Sequence, residues 1–332
     1  MERENVLILS AGRRVELVKC FKNARDRLHI DGEIIAGDAS DLAPALYYAE
    51  KHVIFPRIDS GRYIEAIIDT CRKFGVSLIV PTIDTELILL SEEKERIEKE
   101  TGAKVLISDR EVIRICRDKR NTQAFMEENG FLIPHLYTEA ELAQGKVSFP
   151  LFIKPIDGSS SIDTYRADNE EELRAALSAV REPMVQDYME GTEYTVDVFL
   201  DFFGKVISIV PRIRVATRSG EIAKGRIVRD EEITEDVRRL METLKPIGHI
   251  TVQLRKTKRG IEYIEINPRF GGGAPMSIMA GADSCEWLYR LLSGESLEYR
   301  EKYRADTVFL RFDSCIMLDE TGEPVYAENC SV

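Results

Sequence analysis

The order of apolar runs predicts an α/β protein, with a parallel sheet covered by helices on both faces in the first third and a later part built mainly of strand. Three observations predict it. Short β-branched runs alternate with helix-length amphipathic segments as far as about residue 109. From Glu193 onward strand-like runs follow one another closely. The stretch from Gly260 to Gly273 then sets Glu265, Asn267 and Arg269 at alternate positions of an apolar run, which in a strand gives them one face and sends Ile264 and Ile266 to the core.

The run 6–9 reads as the first strand, Ser10-Ala-Gly12-Arg13-Arg14 as its turn, and 15–28 as a helix with Leu17, Val18 and Phe21 on one side. Strands follow at 32–37, 53–55 and 76–80, with a helix at 63–74 and the closing segment Pro81-Thr-Ile-Asp84. Their carboxyl ends, where Gly12, Asp38, Asp84 and Glu86 fall, form the expected ligand edge of such a sheet. The run 105–108 ends this unit, and 109–129 reads as one linker helix. Next come a strand at 149–154 ending in Lys154, a glycine- and serine-containing loop, a helix at 170–180 and a short strand at 183–186. Strands are expected at 194–199 and 206–211, then an open polar stretch, a helix at about 235–244, and a hairpin pairing 250–254 with 261–267. The alternating run 306–312 reads as further strand.

Composition narrows the function. The 332 residues are 44% hydrophobic and 31% charged, ordinary for a globular protein with two or three domains. With 46 Lys and Arg against 58 Asp and Glu, the net charge of -12 argues against a nucleic-acid or anionic-membrane partner. The most apolar stretches are strand-sized, short of the ~20 residues that a membrane helix needs, and the start lacks a long apolar signal region, so a cytoplasmic address is expected. Six cysteines form no CxxC pair, which excludes the usual zinc and disulfide frameworks. His29, His52, His135 and His249 have no metal-ligand spacing.

Glu265 and Asn267 supply hard oxygen donors suited to Mg2+, and Arg269 beyond them can grip phosphate or carboxylate oxygens; the competing reading is a solvated strand face ending in a glycine turn. Gln253, on the partner strand of the expected hairpin, faces the same pocket. Lys154 at the lip of a loop carrying Ser159, Ser160 and Ser161 suits phosphate, although the loop lacks the Walker spacing and a plain surface turn is the alternative. Gln186, Asp187, Tyr188 and Met189 can offer backbone and side chain to an adenine ring, and Glu193 can accept ribose hydroxyls; a bend between subdomains would use the same residues as core. Gly12 with Asp38 has the order of a dinucleotide site, yet Arg13 and Arg14 stand where further glycines would be needed. Arg13 and Arg14 with Asp84 and Glu86, and Arg212, Arg214, Arg218 and Lys224, are two candidate groups for substrate, the arginines for a carboxylate or phosphate and the acids for an amine; structural salt bridges would explain either group.

Taken together, these residues and their order resemble the ATP-grasp superfamily, especially ligases related to the large subunit of carbamoyl phosphate synthase. The resemblance implies an ATP-grasp fold with an N-terminal Rossmann-like, parallel-sheet pre-ATP-grasp substrate domain at 1–109. It implies a linker helix and small lobe at 110–190, a large lobe at 191–296 and a C-terminal strand extension at 297–332. It implies that Lys119 and Lys154 bind nucleotide phosphates, that the loop after Lys154 covers them, that residues 186–189 hold adenine and that Glu193 holds ribose. Ser160 and Asp163 depart from the glycine-rich form of that loop. Gln253, Glu265 and Asn267 resemble the set around catalytic Mg2+, with Mn2+ as an alternative ion, and Arg269 resembles the arginine at the reacting phosphoryl group. The implied activity is ATP-dependent ligation of a carboxylate to an amine, or to a thiol, through an acyl phosphate with release of ADP and phosphate. The rivals are a carbamoyl-phosphate-synthase-like subunit acting on bicarbonate or carbamate, and a nucleotide-binding regulatory protein with a weakened site. The partners expected are small carboxylates and amines, with a homodimer as the default assembly.

Overall fold

The computed structural model describes residues 3–156, 163–218 and 220–325. Two units divide the chain, one made of residues up to 107 with 285–296 and the chain from 310, the other of 108–284 with 297–309. Among the described residues no helix is long and apolar enough to cross a membrane.

The first unit opens with β1 (Asn5–Ile8), α1 (Val15–Leu28), β2 (Ile34–Asp38) and β3 (Lys51–Ile54). It continues with α2 (Tyr63–Phe74), β4 (Val76–Val80), α3 (Leu87–Thr101) and β5 (Lys104–Val105). The strands pair in parallel in the order β3-β2-β1-β4-β5, so the sheet winds outward in both directions from β1. A fully buried sheet explains why β1 and β4 are near-continuous apolar runs. Helix α1 buries Leu17, Val18, Phe21 and Ala24 on one side, at the expected helical spacing. Helix α3 has no counterpart in the sequence reading, because its apolar positions Leu87, Leu90 and Ile97 lie in a run dominated by Glu, Lys and Arg.

The second unit begins with α4 (Arg110–Arg117) and α5 (Lys119–Glu128), where a single linker helix was expected. Asp118 breaks it by taking an extended backbone and accepting a hydrogen bond from the Arg120 amide through its side chain, which starts a new helix at Lys119. Then come α6 (Glu139–Ala143), β6 (Leu151–Pro155), β7 (Tyr165–Ala167), α7 (Glu170–Ala179) and β8 (Pro183–Asp187). Strands β7, β6 and β8 form an antiparallel sheet whose Leu151, Ile153 and Val185 pack with Leu173 and Ala176 of α7.

The large sheet comprises β9 (Gly191–Leu200), β10 (Val206–Arg218), β11 (Glu221–Ile227), β12 (Gly248–Thr257), β13 (Gly260–Asn267) and the edge strand β14 (Val308–Leu310), with α8 (Glu231–Leu244) inserted after β11. Its order is β13-β12-β9-β10-β11-β14. The stretch expected to be open and polar is the β10–β11 hairpin: Arg212 and Arg214 point to one face of β10, and Ile222 and Ile227 carry the burial on β11. Helix α8 starts four residues earlier than expected, capped by the Asp230 side chain, and buries Ile233, Val237, Leu240, Met241 and Leu244 against Val196, Val198, Ile250, Val252, Leu254 and Ile266 of the sheet. That packing occupies the even-numbered face of β9 and β12. The odd-numbered residues are left for chemistry. After β13 the chain turns into α9 (Ala274–Met279) and then α10 (Ser284–Leu292).

Candidate active site

The β12–β13 hairpin has the register that brings the sequence motif together: Gln253 lies opposite Glu265 and Thr251 opposite Asn267. Strand β9 sets Thr195 beside Gln253 and Asp197 beside Thr251, and β10 sets Arg212 beside Thr195. Two polar rows therefore cross the free face of the sheet. Gln253 Nε2 donates to Glu265 Oε1 at 2.7 Å and Asn267 Nδ2 donates to the same oxygen at 2.8 Å. Arg269 Nη2 donates to Asn267 Oδ1 at 3.2 Å, so carboxylate, both amides and guanidinium form one connected set.

Two lysines belong with this set, Lys154 on β6 of the small sheet and Lys119 on α5. The Asp118 cap places Lys119 at the first position of α5, where its Nζ donates to the Pro155 carbonyl at 3.1 Å, at the end of the strand that carries Lys154. Burial pushes the Lys154 ammonium down to about 8; the neighbouring Lys119 charge adds to the shift and Glu265 opposes it. Lys119, Lys154 and Glu265 thus share one electrostatic environment. A cluster of two cations and one carboxylate is short of anionic charge, which a polyphosphate would supply.

The candidate adenine segment lies on β8 and just beyond it. Gln186 and Met189 are buried, Asp187 Oδ1 accepts from the Tyr137 hydroxyl at 2.8 Å, and the Tyr188 ring lies under the Arg166 guanidinium at 4.6 Å. Glu193 is held between Arg214 Nε at 2.9 Å and Arg255 Nη2 at 2.8 Å, and Arg255 also donates to the Met189 carbonyl at 3.1 Å. Each Glu193 oxygen retains a lone pair for a hydroxyl donor. Arg255 thereby ties the adenine segment to the carboxylate beside it, a role the sequence reading did not assign.

Ser159, Ser160 and Ser161 fall outside the described residues. Arg218 and Lys224 are exposed on the β10–β11 hairpin, and Arg13 is exposed ahead of α1, beside Arg14 at that helix's start, with Asp84 half-buried after β4. Glu86, expected to meet a substrate amine, is fully buried and serves as a strut: its carboxylate accepts from Ser10 and Tyr63 hydroxyls, both at 2.7 Å, and from the Thr82 and Ile83 amides. Burial pushes that carboxyl up while those four donors pull it down. Ser10, at a φ of 47°, is held in the left-handed region by this network at the end of β1. Arg212, also expected at substrate, is only 1% exposed and paired with Asp197 at 3.1 Å. Burial opposes the Asp197 charge, yet Arg212, with His249 and Ser277, holds its carboxyl well below the usual carboxylate range. Asp197 was missed in sequence. Its signal is a lone acid inside the apolar run 194–200, at the same parity as Glu193 and Thr195.

A divalent cation fits this chemistry only in company. Among the described residues no group of three or more His, Cys, Asp or Glu side chains is set to hold a metal by itself. Mg2+ commonly takes one or two protein carboxylates and fills its remaining positions with water and phosphate oxygens. Glu265 with the amide oxygens of Asn267 and Gln253 meets that requirement, since a half-turn of either amide presents oxygen in place of nitrogen.

Residues 6–106 match a family model described as the PylC-like N-terminal domain, and residues 179–311 match one described as ATP-grasp in the biosynthetic pathway with Ter operon. The chain is 31% identical over 134 residues to a D-alanine–D-alanine ligase of Fusobacterium nucleatum subsp. nucleatum, covering 40% of this chain and 44% of that one. It is 26% identical over 142 residues to a carbamoyl-phosphate synthase of Methanobrevibacter smithii, covering 41% and 38%. These matches span less than half the length of either relative. The biotin carboxylase domain dimer of Hydrogenobacter thermophilus 2-oxoglutarate carboxylase, solved with MgADP, ADP and bicarbonate, shares the fold at TM-score 0.69 and 19% identity, covering 92% of this chain and 73% of that one. A parallel-sheet unit followed by two antiparallel sheets, with Lys154 on one and the Glu265-x-Asn267 strand on the other, agrees with both family models: the chain belongs to the ATP-grasp superfamily.

Proposed function

We propose that this protein is an ATP-dependent, Mg2+-requiring ligase that converts a small carboxylate to its acyl phosphate and joins the acyl group to an amine or thiol, releasing ADP and phosphate. The observation that carries this reading is the hydrogen-bonded set Gln253–Glu265–Asn267 on the free face of the large sheet, electrostatically coupled to Lys154. When bound between Glu265, Asn267 and the nucleotide, Mg2+ would supply charge neutralisation at the phosphate oxygens.

The chain's own residues do the remaining work. Lys119 and Lys154 offset nucleotide phosphate charge, residues 186–189 seat the base and Glu193 receives ribose hydroxyls. Arg269, one turn beyond Asn267, faces the charge that builds as the phosphoryl group passes to the substrate carboxylate. Forming the new phosphorus–oxygen bond breaks the β–γ bridge, and ADP leaves. Attack by the nucleophile then breaks the carbonyl carbon–oxygen bond, and phosphate leaves with that oxygen. Arg13, Arg14 and Asp84 remain the substrate candidates of the first unit, and Arg214, Arg218 and Lys224 those of the second. Mn2+ would satisfy the same oxygen donors. The dimer named for the biotin carboxylase domain supports a homodimer here.

The relation to carbamoyl-phosphate synthase favours one second reading, phosphorylation of bicarbonate or carbamate. Both readings are tested by incubating the protein with MgATP and panels of amino acids, small acids and bicarbonate, then weighing the products. With 18O in the substrate carboxylate, one labelled oxygen is expected in the released phosphate. Pyrophosphate and labelled AMP in place of ADP and phosphate would reveal an adenylate route and refute the proposal.

A further inference from the structure

The turn that carries Arg269 from the metal strand into α9 rests on a buried polar hub. Asp197 Oδ2 accepts from Arg212 Nη2 at 3.1 Å and from the Ser277 hydroxyl, Oδ1 lies 3.5 Å from Thr251 Oγ1, and His249 Nε2 is 3.6 Å away. Each of these neighbours bears on a different part of the turn. Ser277 belongs to α9 itself. The Phe270 ring stacks on His249 with centroids 4.4 Å apart and planes 17° from parallel. Gly271 lies so close to Thr251 that a Cβ would fall 2.7 Å from its Oγ1, and Gly273 lies so close to Arg212 that a Cβ would fall 2.5 Å from Nη1. The glycines of the Gly271–Gly273 run are thus explained at both ends by close approach to the hub rather than by backbone φ.

Stability alone is a poor reason for this arrangement. A buried ion pair is often no better than apolar residues of the same volume, because both charges must be stripped of water. Here Arg212 Nε and Nη1 have no hydrogen-bond partner among the described residues, which makes the pair costlier still. What the pair does supply is direction: a carboxylate with four neighbours on three elements, β10, β12 and α9, restricts the placement of the turn between them.

We propose that Asp197 is a positioning residue, acting through Arg212, His249, Thr251 and Ser277 to hold the 268–277 turn so that Arg269 stays aligned with Glu265 and Asn267. Arg212 is accordingly a structural arm of the turn and not a substrate ligand. The inference rests on the nucleotide reading above for its catalytic consequence, while the placement of the turn can be measured without nucleotide.

The test uses the full chain with Asp197→Asn, the neutral pair Asp197→Asn/Arg212→Met, Gly273→Ala and, as reference, Arg269→Ala. Hydrogen exchange across residues 268–277 is expected to rise on the order of tenfold in the neutral pair and in Gly273→Ala, with the rest of the second unit at wild-type protection. Calorimetry with MgADP is expected to give wild-type affinity, whereas trapping of MgADP with aluminium fluoride, which mimics the transferring phosphoryl group, is expected to be lost as in Arg269→Ala. The neutral pair keeps this decisive if Asp197→Asn alone leaves Arg212 uncompensated and fails to fold. Recovery of the melting temperature in the neutral pair without recovery of trapping is the expected signature. Wild-type exchange in the turn, or trapping restored together with stability, would overturn the proposal. Failure of the wild-type protein to bind MgADP would instead sink the nucleotide reading, and the exchange data would still decide whether Asp197 positions the turn.

Discussion

Lys154 shows how one residue couples fold to chemistry. Its side chain is partly buried beside Lys119, with Glu265 the opposing charge, and its ammonium is pushed down to about 8. Below that pH the folded protein carries a buried cation at a cost; between about 8 and the ordinary lysine value of 10.5 the folded chain sheds a proton that the unfolded chain keeps, so this group's contribution to stability rises with pH across that window. Nucleotide phosphate reverses the preference. Binding of a non-hydrolysable ATP analogue near pH 8 is therefore expected to take up about half a proton, and affinity to fall as pH rises through that value. Calorimetry in two buffers of different ionisation heat reads the uptake directly, and Lys154→Arg, permanently charged, should abolish it. Equal heats in both buffers for the wild type would contradict the assignment. Glu265→Gln is expected to preserve the fold, because the side chain is only half-buried, and to lower Mg2+-dependent turnover by ~100-fold or more, above the 10–100-fold typical of residues one contact removed from a metal. A titration of turnover against Mg2+ that matches the wild type would remove Glu265 from the metal set. These residues were legible in sequence because strand parity and a hairpin register suffice to gather Gln253, Glu265 and Asn267. Asp197 and Arg212 were not, because sequence shows an acid and a base without showing that both are buried against each other.

Elements repeated this division. Elements with one apolar face, such as α1, α2 and the β12–β13 hairpin, were readable from period, and β4 from its near-continuous apolar run. The β10–β11 hairpin was not, because the even-numbered positions of β10 on the site face include Arg212, Arg214 and Arg218, so the alternation that marks a half-buried strand reads as a polar stretch. The break between α4 and α5 escaped for a different reason: helical periodicity runs through it, and only the Asp118 side chain, accepting from the Arg120 amide at 2.8 Å, divides the helix. That cap also determines where Lys119 sits. Asp118→Ala is expected to cost about 1 kcal/mol of stability, the usual value of an N-cap, and to weaken nucleotide binding because Lys119 loses its fixed start on α5. Asp118→Ser, which can still cap, should recover most of both. Chemical denaturation and calorimetry on the two variants check this, and unchanged nucleotide affinity in Asp118→Ala would separate the cap from the site.

At the scale of the molecule, the chain is two units with different internal order, a doubly wound parallel sheet and a pair of antiparallel sheets, and the residues assigned to nucleotide all belong to the second. The second unit has its own core, in which α8 and the even-numbered face of β9 and β12 supply most of the buried side chains. A ligand that binds only the folded form of one unit stabilises that unit by RT ln(1 + [L]/Kd), about 2.7 kcal/mol at a hundred times Kd. Multi-unit chains commonly depart from a single unfolding transition. Differential scanning calorimetry is therefore expected to resolve two transitions, of which the one belonging to residues 108–284 moves upward with MgADP while the other stays in place. Glu265→Gln should reduce that shift, because it weakens the Mg2+-bearing nucleotide complex without touching the first unit. Assigning each transition by proteolysis during the melt makes the outcome specific to sequence. A shift confined to residues before 108 would place the nucleotide on the parallel sheet, where Gly12 and Asp38 lie, and would reverse the division of labour argued from Lys154, Glu265 and Asn267.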